Sequence, residues 1–304
     1  MIAWGSEEAA VNRRAGGSPP SACYDQARME LEDDLRRMRE DWDQRARENA
    51  RHYIATERAE WSDEEFFASG RAELAEQILN DMENICQGRD PKAMRVLEIG
   101  CGAGRVTRAL AGVFGEVHGV DVSGEMVALA REGLRDLANV TIYQNNGMDL
   151  AVAPDTPFDF AFSMLVMQHI PSREVVETYF REVCRLLRPG ALFKVQMLGR
   201  PLPPPPAPQP AGPPPELPLK WKLTGKIPLP IRKKVLRPIR EMLAKAPAGP
   251  PPPPPEVPDT WTGVMYAPEE ASALADCTGF ELRHQRGAGQ EFYWLWCFKR
   301  SPRI

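Results

Sequence analysis

Val96-Leu97-Glu98-Ile99-Gly100-Cys101-Gly102-Ala103-Gly104-Arg105-Val106-Thr107 is the stretch that decides the fold. An apolar run interrupted by one acid leads into three glycines at alternate positions, and an alanine-containing, helix-favouring segment follows (Arg108 to Phe114). That order predicts a buried strand, a tight loop and a helix opening onto it. Glycine suits such a loop because it tolerates φ > 0 and has no side chain to hold a ligand away.

Outward from the loop, strand and helix signals alternate from Met94 to Met197. Strands are predicted at Arg95–Ile99, Glu116–Val120, Val140–Gln144, Phe158–Met164 and Ala191–Met197, with helices near Arg105–Phe114, Gly124–Leu137 and Arg173–Leu187. Such alternation implies a parallel sheet with right-handed crossovers and a ligand at the carboxyl ends of the strands. Beyond the core, Pro268 to Cys277 reads as a helix with proline in its first turn. Glu281–Arg286 and Glu291–Lys299 read as an antiparallel hairpin around Gly287-Ala288-Gly289.

Residues 1–24, rich in Gly, Ala, Pro and Ser, are expected to be a disordered tail. Residues 25–92 read as a helical preface. Leu31, Leu35, Met38 and Trp42 recur at helical spacing, and Trp42 to Ala50 runs into His52-Tyr53-Ile54. Ser62-Asp63-Glu64-Glu65 fits a capping box for a short helix expected to stop near Gly70. A further helix is expected over Arg71–Cys86, with Gly88 at its C-cap. Packing against the sheet and capping a substrate are equally open roles for this preface.

The expected divisions are the tail, the cap at 25–92, the ligand-binding core at 93–199, a proline-rich basic insertion at 200–257 and a closing segment at 258–304. Of 31 prolines, 22 fall between Pro201 and Pro258, and runs such as Pro250–Pro255 favour extended polyproline II. Between these arms, Lys220–Lys245 carries nine Lys or Arg against Glu241 alone. It could be a lid over the ligand edge, an amphipathic helix on anionic lipid or a partner, or a tethered loop.

Composition narrows the function classes. The 304 residues are 43% hydrophobic and 26% charged, with net charge −4, which gives no global attraction to nucleic acid. No apolar run approaches the length of a membrane helix, and Arg13-Arg14 is followed by no apolar secretion core. The six cysteines are scattered without a C-x-x-C pair, so neither a disulfide framework nor a metal site is expected. A reducing cytoplasm is the expected compartment.

Glycine loops of this kind serve NAD, FAD and S-adenosylmethionine (SAM). Three features favour SAM. Glu98 precedes the first glycine, where an acid can meet an α-ammonium group. The dinucleotide fingerprint needs a third glycine where Arg105 stands. Asp121 ends the second strand, where a carboxylate can accept ribose hydroxyls, and Asn145-Asn146-Gly147 ends the third, where an amide and open backbone can read an adenine edge.

On these motifs, residues 96–197 resemble the class I SAM-dependent methyltransferases, in particular the bacterial small-molecule type. Further support comes from Phe158-Asp159-Phe160-Ala161-Phe162-Ser163, Leu187-Arg188-Pro189-Gly190-Ala191-Leu192-Phe193, the W-D-x-R-A-x-E-N lead-in and Ala275–Phe280. Asn146 stands where many relatives carry Asp. The resemblance implies an α/β, Rossmann-like, mostly parallel seven-stranded sheet with a C-terminal antiparallel hairpin, an N-terminal helical extension and a Pro-rich insertion after the fifth strand. It implies SAM as cofactor, with Glu98 at the methionine end and the backbone of Gly100, Cys101, Gly102 and Gly104 along it. Asp121 would hold the ribose, Val122 and Met126 would pack on the adenine, and Asn146 and Gly147 would read its edge. Ser163 and Met164 would lie beneath the transferred methyl.

His169 is the best-placed candidate for a general base, should the acceptor lose a proton; its plainer role is to fix the loop before the next helix. Tyr53 and Tyr266 are secondary candidates. Ser163-Met164-Leu165-Val166 is not the Asn/Asp-Pro-Pro-aromatic run used on planar nitrogens. A small molecule is therefore the expected acceptor, with nucleic acid not expected and membrane contact through 220–245 the minor possibility. A SAM-fold binding or scaffold protein without methyl transfer is the alternative reading.

Overall fold

The computed structural model describes the backbone of residues 21–200 and 263–301. Residues 1–20 of the expected tail and the proline-rich, basic stretch within 201–262 fall outside the described residues, whereas Ser21 to Tyr24, expected in the tail, belong to the first helix.

Seven strands form one sheet: β1 (Arg95–Ile99), β2 (Glu116–Asp121), β3 (Val140–Gln144), β4 (Phe158–Ser163), β5 (Leu187–Leu198), β6 (Phe280–Arg286) and β7 (Phe292–Lys299), in the order β3-β2-β1-β4-β5-β7-β6. The pairings from β3 to β5 are parallel, and β7 pairs antiparallel to both β5 and β6. This is the expected mostly parallel sheet with its closing hairpin. β4 is buried at every position, as expected of a central strand covered on both faces. β7 is buried at all but its end residues because it lies between β5 and β6, whereas the edge strand β6 exposes several of its side chains.

The crossover helices are α4 (Arg105–Val113), α5 (Gly124–Gly133) and α6 (Arg173–Leu186), and α7 (Pro268–Cys277) precedes β6. Strand order turns back between β1 and β4, so the crevice expected at such a switch point lies at the ends of these two strands.

The N-terminal segment departs most from expectation. α1 (Ser21–Ile54) is one long element bent at Asn49, whose φ of −168° and ψ of 78° are not helical. Its Asp43 carboxylate accepts from Ser123 Oγ at 2.6 Å and from the Glu125 amide at 3.1 Å, so α1 caps the start of α5. α2 (Asp63–Gln77) begins with the expected capping box, the Glu65 amide donating to Ser62 Oγ and the Ser62 amide to Glu65 Oε2. It does not stop at Gly70. Gly70 is buried mid-helix, and a Cβ there would lie 2.0 Å from the Arg105 carbonyl oxygen, so the glycine admits α4 rather than ending α2. The helix expected over 71–86 is divided, by a 3-10 turn at Leu79–Asp81, between α2 and α3 (Met82–Cys86).

Smaller differences have local causes. α5 ends at Gly133 instead of Leu137, and β4 ends at Ser163 because Leu165 takes the left-handed conformation (φ 58°). β5 begins at Leu187, four residues early, through a register irregularity against β4.

Beneath the sheet's hairpin side, buried Lys194 of β5 donates to the Gln77 carbonyl at 2.5 Å and to Asp81 Oδ2 at 2.8 Å, with the Trp296 ring 4.4 Å from Nζ. This contact straps the end of α2 to β5 and β7. Among the described residues, no helix is long and apolar enough to cross a membrane.

Candidate functional site

A cavity of about 440 Å³ opens at the carboxyl ends of β1, β2 and β4. Its floor is the glycine loop. Gly100 (φ 73°) and Gly102 (φ 51°) hold backbone angles that disfavour side chains. A Cβ on Gly100 would lie 2.1 Å from Val166 Cγ2, and one on Gly102 would lie 2.9 Å from Ile54 Cδ1. The two glycines therefore serve two neighbours, the loop after β4 and the end of α1, which close on the cavity from either side.

Glu98 lines the cavity and is buried. Its Oε2 accepts from Thr107 Oγ1 at 2.6 Å. Burial pushes the carboxyl up to about 8; the Thr107 bond and the Arg105 charge work against the rise, and Asp121 adds to it. An acid so short of compensation fits a site that receives a cation.

Asp121, at the end of β2, ties the site together. Its Oδ2 accepts from the Gly102 amide at 2.8 Å and its Oδ1 from the Ser123 amide at 3.0 Å. A carboxylate has about four acceptor positions, and these two bonds leave capacity toward the cavity that it lines. Burial raises its carboxyl as well, countered by those amides. Capping of the next helix falls to Ser123, whose Oγ accepts from the Met126 amide.

Of the residues expected at the site, Glu98, Gly100, Cys101, Gly102, Asp121, Val122, Met126, Met164 and His169 all line this cavity. Gly104, Asn146, Gly147 and Ser163 are not among its lining residues. Gly104 (φ 84°) starts α4. The Asn146 amide is engaged in its own turn, Oδ1 accepting from the Met148 and Asp149 amides and Nδ2 donating to Asp149 Oδ2. Gly147 backs onto Val122 and Met38, which do line the cavity. Ser163 is wholly buried, with its hydroxyl turned to the Ile99 carbonyl. Cys101 is buried, and burial raises its thiol well above the ordinary range, which suits a space-filling role.

His169 is buried against Trp42, ring centroids 5.0 Å apart at 74°. Tyr53 also faces the cavity, but its hydroxyl donates to Glu48 Oε2 at 3.0 Å, and that bond raises its pKa and holds its proton. Tyr266 lies outside the lining and is packed under Arg173, and burial pushes its hydroxyl up to about 12.

Sequence reasoning missed several lining residues. Arg105, buried after the last loop glycine, and Glu73 of α2 converge because α2 crosses α4 at Gly70. Leu165 is held in its left-handed conformation with its amide donating to Gln196 Oε1 at 3.1 Å, a strained position of the kind found at functional sites. Tyr179 also lines the cavity with no signal in the sequence, and so does Asn145, which belongs to the strand-end run Asn145-Asn146-Gly147 but is not the amide singled out within it.

This geometry, a glycine loop between a buried acid and a strand-end aspartate on a sheet of order 3-2-1-4-5-7-6, is the arrangement that the resemblance to class I SAM-dependent methyltransferases implied. Residues 96–190 match the methyltransferase domain family. Among similar curated proteins are a ubiquinone biosynthesis O-methyltransferase of Xanthomonas oryzae, 30% identical over 112 residues (36% of this chain and 46% of that protein), and phosphoethanolamine N-methyltransferase 2 of Caenorhabditis elegans, 34% identical over 107 residues (34% and 24%). The chain thus spans less than half the length of these relatives. Magnesium protoporphyrin IX methyltransferase of Synechocystis, solved with S-adenosylhomocysteine (SAH), shares the fold at a TM-score of 0.52 and 13% identity, with coverage of 88% of this chain and 99% of that one.

Proposed function

We propose that the protein binds SAM in the 440 Å³ cavity and transfers its methyl group to a small-molecule acceptor by in-line displacement. The observation that carries this reading is that two buried-site carboxylates flank one glycine loop in a single cavity: Glu98, which precedes it on β1, and Asp121, which ends β2 and accepts from the Gly102 amide. In this reading Glu98 receives the α-ammonium group, and the backbone at Gly100, Cys101 and Gly102 follows the methionine chain. Asp121 takes ribose hydroxyls, and Val122 and Met126 pack on the adenine. SAM supplies an already activated methyl, so the protein's work is alignment and exclusion of water.

The acceptor end is assigned to the β4 loop, from Met164 to His169, together with Tyr53, Glu73 and Phe292, which line the rest of the cavity. His169 is assigned the role of receiving a proton there, if the acceptor gives one up. The proposed organisation keeps 93–199 and 258–304 as the catalytic core, with 25–92 as the cap whose Met38, Trp42 and Ile54 reach the cavity.

The test is calorimetric titration with SAM, followed by measurement of SAH formation with a panel of phenolic, amine and carboxylate acceptors. Binding with SAH formed on one acceptor class supports transfer. Binding without turnover on any acceptor would instead favour the cofactor-binding scaffold.

A further inference from the structure

α2 brings to the cavity a carboxylate that the cofactor does not use. Gly70 lets α2 lie against the backbone at Arg105, and Glu73, one turn further on, lines the cavity and is half-buried. Among the described residues its carboxylate makes no hydrogen bond or ion pair. Burial raises its carboxyl above the ordinary value; the Arg105 charge opposes the rise, and Glu76 and Glu57 add to it. A negative charge held in such a place costs stability unless a cation joins it.

The surroundings point the same way. Gln168 Oε1, in the loop after β4, is buried in the wall of the same cavity without a hydrogen-bond partner among the described residues. Glu57 and Glu291 line the cavity as exposed residues, so they stand at its mouth. With Glu98 and Asp121 given to the cofactor, three lining carboxylates remain, Glu57, Glu73 and Glu291, against the guanidinium of Arg105. That guanidinium is shared, because its charge also acts on Glu98. Trp42, Val166 and Phe292 complete the lining with apolar surface.

An ammonium group has three donors and no acceptor, so it matches a lining rich in acceptors and negative charge. A carboxylate or phenolate would meet like charge there instead. Resting on the SAM reading above, we propose that the methyl acceptor is a cationic amine on an apolar body, and that Glu73 is the specificity-determining residue that pairs with its ammonium group. Glu57 and Glu291 draw the cation toward the mouth, and the apolar wall takes the body of the molecule.

The experiment uses phenethylamine and hexylamine, each beside the alcohol and the carboxylate of the same skeleton. Binding to the full chain saturated with SAH is measured by calorimetry. Each amine should bind about tenfold or more tightly than its alcohol, and the carboxylate more weakly than both. Glu73→Gln should reduce the amine preference to about threefold or less while SAH affinity stays near the wild-type value. Glu73→Asp, which keeps the charge, should retain part of the preference. Should Glu73→Gln melt too low to study, the double variant Glu57→Gln with Glu291→Gln changes exposed positions alone. It should lower the amine preference about threefold at low salt and hardly at all at high salt.

Amine and alcohol bound alike by the wild type overturn the assignment, and so does an unchanged preference in folded Glu73→Gln or, in its place, in the double variant. Loss of SAH affinity in Glu73→Gln with the amine preference kept also overturns it, since that would place Glu73 at the cofactor. Failure of the wild type to bind SAH overturns the cofactor reading and this assignment with it, whereas SAH binding without amine preference overturns this assignment alone.

Discussion

Glu98→Gln separates the stability of the site from its use. The carboxyl sits at about 8 in the folded protein, against an ordinary value of 4.5. The folded state therefore holds a proton that the unfolded state has released between these pH values. The folded acid is raised, so stability is highest at low pH and is lost as pH climbs from 4.5 through 8. A gap of about 3.5 pH units at 1.36 kcal/mol per unit sets a ceiling of about 5 kcal/mol above pH 8. Glutamine can still accept from Thr107 and is never ionised, so it removes this loss. Water reaching Glu98 through the cavity lowers the gain, and about 2–3 kcal/mol at pH 9 is expected, or roughly 5–10 °C in melting temperature. Near pH 5 the variant should melt with the wild type. SAM affinity should fall by about 10–100-fold, the range for losing a hydrogen bond to a charged group. Melting curves from pH 5 to 9, with calorimetric SAM titration at pH 8, make the assay. Parallel pH profiles, or undiminished SAM affinity in the glutamine variant, would refute the argument that Glu98 is held in reserve for a cation.

Other perturbations probe separate parts of the molecule. Gly100→Ala should weaken SAM binding at least tenfold and cost about 1–3 kcal/mol, because the new methyl meets Val166 at φ 73°. Adding Val166→Ala should restore part of both, a coupling that a double-mutant cycle would detect. His169→Ala should cut turnover with SAM affinity nearly unchanged; normal turnover would remove His169 from the mechanism. Asp81→Ala leaves Lys194 buried without its carboxylate and should cost about 3–5 kcal/mol in chemical denaturation, whereas Asp81→Leu with Lys194→Met should recover most of that loss.

The parallel core was legible because its strands are short apolar runs between turn signals, and β1 with its glycine loop set their phase. That Glu98 and Asp121 would meet at one cavity was legible for a related reason. Glu98 and Asp121 lie at strand ends, where chain position alone fixes place in space. Features decided by contacts between distant segments were not legible. Gly70 reads locally as a helix stop, and only the backbone of Arg105, 35 residues away, explains it. The expected adenine reader, Asn146, is occupied by its own turn, while its neighbour Asn145 faces the cavity through bonds to Tyr179 and Asp149. A one-residue offset of this kind is set by the conformation of the turn at Asn146–Asp149 and not by residue type. Leu165 gives no warning of its left-handed angle, since leucine has no preference for it.

The crossing of α2 and α4 at Gly70 bears on how such a chain can be rebuilt. The helix carrying Glu73 touches, through one side-chain-free position, the first residue after the cofactor loop. Asp43 makes a second junction, at the head of α5. The N-terminal segment is therefore a poor module for exchange. Replacing 25–92 with the corresponding segment of a protein of the same fold, to import its ligand preference, would also move Arg105 and the loop beneath it. Grafts that retain Gly70 and Asp43 should keep cofactor affinity, and grafts that lose either should trade it away along with the old specificity.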